Sequence, residues 1–74
     1  MRMLKRVKIQ ELTAGAVFYI NGRRYKSYGR VIRDKQVFMA AYEDRLSGIR
    51  KLNYLNLEME VMVDERIHMQ RSAD

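Results

Sequence analysis

The sequence predicts a mostly-β fold: a small, strongly bent antiparallel sheet or barrel of five or six strands, followed by a frayed C-terminal tail. Three observations point to it. Asn21-Gly22 stands between two runs rich in β-forming residues. An Asn-Gly pair in that setting is the strongest short-range hairpin signal, because a type I′ turn needs positive φ at both central residues. Leu57 to Val63 places Leu57, Met59, Val61 and Val63 on one side and Glu58 and Glu60 on the other, which is the period of a half-buried strand. The other apolar runs are short, are punctuated by Gly, Asn or Asp, and contain no proline, as tightly turned strands require.

The elements follow in order. Val7-Lys8-Ile9-Gln10 alternates and reads as a first strand, and Glu11 to Gly15 as a turn. Val17 to Ile20 is the first arm of the hairpin. Arg23 onward is a long second arm that ends at Val31-Ile32, and Arg33-Asp34-Lys35 turns the chain. Gln36 to Tyr42 is apolar almost throughout, which suits a strand covered on both faces or central in a sheet. Met and Ala favour a helix there, but Val37, Phe38, Tyr42 and the short length favour a strand. Glu43 to Gly48 is a polar connection, Ile49 to Leu52 a short segment, and Asn53 a point where the chain can turn. Residues 1–65 form one domain and 66–74 a flexible tail. The expected core is Val7, Ile9, Leu12, Val17, Phe18, Ile20, Tyr25, Val31, Val37, Met39, Ala41, Ile49, Leu52, Leu57, Met59, Val61 and Val63.

The stretch from Val7 to Tyr25 resembles the opening of small bacteriophage-encoded proteins with an SH3-like β-barrel. It has a strand, the acidic-Leu-x-x-Gly turn Glu11-Leu12-Thr13-Ala14-Gly15, a strand containing Phe18, the Asn21-Gly22 turn, and a strand with an aromatic, Tyr25, near its start. Leu57 to Val63 fits the closing strand of such proteins. The resemblance rests on turn glycines and core positions. It implies an SH3-like fold and a viral origin, and it carries no functional residues.

Composition limits the chemistry. A chain of 74 residues is one domain with a marginal core. It has no cysteine and one histidine, His68, which removes disulfides, thiolate sites and a histidine-built zinc site. No cofactor and no metal are expected. No basic-then-apolar leader and no spanning segment is read, so the expected setting is the cytoplasm (the host's, if the protein is viral), with no membrane partner. The hydroxyls Thr13, Ser27, Ser47 and Ser72 fall in turns, on a basic strand or in the tail, not in a nucleophile–base set. Glu58 and Glu60 share a strand face roughly 6–7 Å apart, and a solvated face explains them better than acid–base work. No enzymatic activity is expected.

Charge is the feature above background. The chain carries a formal net charge of +6 with a pI near 10, which suits an acidic partner. It is also segregated: residues 23–35 carry net +5, residues 1–12 net +3 and residues 57–65 net −4. In a regular strand Arg24, Lys26, Tyr28 and Arg30 share one face. A basic face with an aromatic is what binders of single-stranded nucleic acid use, and OB-like barrels of this size bind through such a face. The expected nucleic-acid-binding residues are Arg23, Arg24, Lys26, Tyr28, Arg30, Arg33 and Lys35. The alternative is an adaptor or inhibitor that docks on a host or viral protein with an acidic surface, using Tyr54, Leu55 and Met62; adaptable surfaces favour such side chains. A homodimer is a further option for so small a core. The bland alternative is that the basic arm protects an edge, or that the acidic strand 57–63 lies beside it and neutralises it.

Overall fold

The computed structural model describes residues 3–45, 48 and 50–65. It is mostly β, with six antiparallel strands in one open sheet: β1 (Leu4–Lys8), β2 (Val17–Ile20), β3 (Arg23–Arg33), β4 (Gln36–Glu43), β5 (Leu52–Asn56) and β6 (Glu60–Asp64), in the order β1-β6-β2-β3-β4-β5. The expected tail 66–74, with His68, and the expected core residue Ile49 lie outside the described residues, as do Ser47 and Ser72.

The Asn-Gly hairpin forms as the sequence predicts. Asn21 and Gly22 have φ of 50° and 77°, and Ile20 pairs with Arg23 across them. The second hairpin turns through Asp34 and Lys35, also at positive φ, 52° and 62°. β4 lies between β3 and β5, and its three middle residues Met39, Ala40 and Ala41 are all buried. A place inside the sheet, between two strands, is one of the two settings its continuous apolarity predicts.

The core lies on one face of the sheet. Val7 of β1, Val61 and Val63 of β6, Phe18 of β2, and Met39 and Ala41 of β4 join Ile9, Leu12 and Ala16 in one cluster. Strands several places apart on a flat sheet are too distant for this, at ~4.8 Å per step. The sheet therefore curls around its core. A short 3-10 turn, Ile9–Glu11, sits at one end. Ile9 and Gln10 donate backbone N–H groups to the carbonyls of Met59 and Leu57, which seats the fully buried Ile9.

Several expectations are corrected. The first strand is Leu4–Lys8, and Ile9-Gln10 turns instead of extending it, because the Glu11 carboxylate accepts the Lys8 N–H at 2.9 Å. The stretch Leu52–Asn56 is a strand, and the chain turns after it, at Asn56, whose side chain accepts the Glu58 N–H at 2.8 Å. Leu57 and Glu58 belong to that turn, although Leu57 and Met59 still pack on the core. Val37 and Leu52 are exposed. Val37 sits near the free end of the second hairpin and Leu52 faces outward on an edge strand. Val17 and Val31 are half-buried and outside the core cluster, while Ala16 and Ala40 are buried without having been expected.

Candidate nucleic-acid interface

The basic arm is β3, and its faces are set by one irregularity. Ser27 pairs with Ala41 and Gly29 with Ala40, so Tyr28 is an extra residue in a β-bulge. Gly29 takes φ 141°, a conformation that side-chain-bearing residues rarely adopt. Ser27, only 3% exposed, anchors the bulge. Its hydroxyl donates to the Thr13 carbonyl at 2.5 Å and accepts the Ala16 N–H at 2.9 Å. Two backbone bonds, Ser27 N–H to Ala16 O and Gly15 N–H to Ser27 O, complete the attachment. This hydroxyl is therefore used up in holding the turn 13–16 against β3.

The bulge breaks the alternation on which a single basic face depends. Residues opposite each other in an antiparallel pair share a face. Arg24 lies opposite Tyr19, and Lys26 opposite both Val17 and Tyr42, on the outer face away from the core. Past the bulge Arg30 lies opposite the buried Met39 and so belongs to the core-side face, where its guanidinium donates to the Gln10 carbonyl at 2.7 Å. Arg33, opposite Gln36, is back on the outer face. Arg23 lies opposite Ile20, away from Arg24. Tyr28, 67% exposed, projects from the bulge itself. Arg24, Lys26, Tyr28 and Arg30 thus do not form one regular row.

The outer face has a different organisation. Across β4 and β5, Tyr42 lies opposite Leu52, Ala40 opposite Tyr54, and Phe38 opposite Asn56. Ala40 is buried there although it faces away from the core, flanked by Phe38 and Tyr42 along β4 and by Tyr54 across it. The Arg33 guanidinium stands 4.7 Å from the centre of the Tyr54 ring, and that of Arg50 stands 4.9 Å from the centre of the Tyr42 ring. The result is an aromatic patch with two guanidinium groups over it and with Lys26 and Arg24 along its β3 side. Arg24 is pinned by Asp44 through an ion pair of 3.2 Å.

The acidic stretch does not neutralise this surface. β6 lies on the far side of β2 from β3. Glu58 pairs with Lys8 at 3.1 Å, and Glu60 lies opposite Lys8 in register. These two carboxylates stand beside Lys8 of β1.

Of the alternative residues, Tyr54 becomes part of the same patch as Arg33. Leu55 packs against the core. Met62 is on the outer face at the other end of the sheet, between Arg6 and Tyr19. Sequence reasoning missed Arg50 and Tyr42. Tyr42 was legible as a residue alternating with Phe38 and Ala40, but Arg50 depends on the β4–β5 pairing. A recess of about 370 Å³ on the core side is lined by Tyr25, Glu43, Arg45, Lys51 and Asn53, and the Glu43–Arg45 ion pair occupies its wall. Among the described residues no three His, Cys, Asp or Glu side chains stand close enough to hold a metal ion, and no helix is long and apolar enough to cross a membrane. Comparison with known proteins gives no matching family model, no matching curated protein and no matching solved structure.

Proposed function

We propose that this chain is a non-enzymatic nucleic-acid-binding protein that works through the β3–β4 hairpin and the outer face beside it. The observation that carries this is the pair of guanidinium groups, Arg33 over Tyr54 and Arg50 over Tyr42, on a patch bordered by Lys26 and Arg24. A guanidinium held over a ring loses less freedom when it meets a phosphate, and its planar donors suit that anion. Tyr28 adds an exposed ring suited to a base, since base–aromatic stacking is sequence-tolerant.

The test is a fluorescence-anisotropy titration of labelled single- and double-stranded oligonucleotides at low and near-physiological salt, with Lys26→Glu/Arg33→Glu alongside. Affinity should fall with salt, each neutralised phosphate adding about 0.7–0.9 to the log–log slope. The double variant should bind weakly at every salt concentration. No binding at low salt would sink the proposal.

A second reading has its own observation. β5 is an edge strand with no charged residue, and it exposes Leu52 and Tyr54. An uncharged edge can accept an extended strand from a protein partner. Binding of that kind survives salt and fails in Tyr54→Lys.

A further inference from the structure

The end of the β3–β4 hairpin runs past the strand pairing of its neighbours on both sides, with the Arg33 side chain reaching back to Tyr54. Pairing of β2 with β3 stops at Val17–Lys26, and pairing of β5 with β4 stops at Phe38–Asn56. Beyond them Ile32–Val37 and Arg33–Gln36 make a two-stranded ribbon closed by Asp34 and Lys35. Such a ribbon is marginal by itself in water, and this one is not built for stability. Lys35 holds a left-handed φ of 62°, where an L side chain is disfavoured. Ile32 is 76% exposed, more than any other large apolar residue described, and its cross-strand partner Val37 is 41% exposed. Cations surround this apolar pair: Arg30 on the same face, Arg33 on the other and Lys35 at the turn, against one acid, Asp34.

We propose that this ribbon enters the major groove of a B-form DNA duplex, with Ile32 and Val37 against base edges and Lys35, at the turn, on a flanking phosphate. The inference rests on the nucleic-acid reading above and narrows its ligand to duplex DNA. The major groove of B-DNA is about 12 Å wide and admits a two-stranded ribbon. The deep, narrow major groove of A-form RNA does not. Apolar side chains on a ribbon's face meet the thymine methyl groups that line that groove. An intercalating wedge would have to stand at the turn itself, where this chain has Asp34 and Lys35 instead.

The full chain is titrated against an A·T-rich DNA duplex, the same duplex with uracil in place of thymine, an RNA duplex of the same sequence, and single strands. Ile32→Ser/Val37→Ser is measured in parallel; both side chains are exposed, so the variant should fold. The wild type should bind the thymine duplex about tenfold more tightly than the variant does, with the same salt slope in both, because apolar contacts release no counterions. Uracil should weaken wild-type binding and leave the variant unaffected, and the RNA duplex should bind more weakly than DNA. If the variant and the uracil duplex behave like wild type and thymine while binding persists, the ribbon inference fails and nucleic-acid binding stands. If no oligonucleotide binds, both fall together.

Discussion

Ser27 shows what a single buried hydroxyl does in this fold. Ser27→Ala would remove two hydrogen bonds, one to the Thr13 carbonyl and one from the Ala16 N–H, while those two groups keep their bond to each other. A hydrogen bond contributes about 0.5–1.5 kcal/mol net. Urea unfolding should therefore show a loss of roughly 1–3 kcal/mol for Ser27→Ala, whereas exposed Ile32→Ser should change stability by no more than ~0.5 kcal/mol. Lys35 works in the opposite sense. Lys35→Gly relieves a left-handed conformation, so it should raise stability by about 0.5–1 kcal/mol while weakening DNA binding through the lost cation. Thermal melts and titrations on one preparation would show the two effects diverging. The turn at Lys35 was legible in the sequence, and the role of Ser27 was not. Ser27 reads in sequence as one more polar position on a basic arm, and its role arises from a turn that is brought against it from more than ten residues away. The Arg24–Asp44 pair is of the same kind, since Asp44 belongs to a connection whose path follows only from the fold.

At the scale of elements, local chemistry was readable and long-range pairing was not. The Asn21-Gly22 hairpin is encoded in two adjacent residues that can take positive φ, so it was plain from the sequence. β4 was plain because it is a short apolar run inside the sheet, between β3 and β5. β5 was not, because its outward residues Leu52, Tyr54 and Asn56 and its inward residues Asn53 and Leu55 each mix apolar with polar side chains, which cancels the period-two signal. The bulge at Tyr28 was also missed, although Gly29 marks it. A strand glycine often signals such a break, and here it moves Arg30 and Ile32 to the face opposite the one strict alternation gives them. Gly29→Ala tests this. A methyl group there meets only Ala14 at an ordinary 3.9 Å, so space is not the obstacle; φ of 141° is. The expected loss is about 1–3 kcal/mol, read by thermal melting, with weaker DNA binding because the ribbon beyond the bulge shifts.

For the molecule as a whole, charge and stability are largely separate. The ion pairs Lys8–Glu58, Arg24–Asp44 and Arg45–Glu43 involve exposed cations, and exposed pairs contribute at most ~1 kcal/mol each. Raising salt from low to physiological should leave the melting temperature nearly constant while it weakens the nucleic-acid complex steeply. A common stability origin for both would show as parallel changes. The sheet's two ends differ as its charge does. β1 presents Lys5 and Arg6 at one edge, and β5 presents Leu52 to Asn56, without a charge, at the other. Two copies that met through β5 would turn only β1 edges outward, and like charges there would repel a third copy. Edge growth would then stop at two, a brake on fibre formation. Replacing Lys5 and Arg6 with threonine should release that brake, and concentrated solutions of the variant should seed thioflavin-positive fibres where the wild type stays clear.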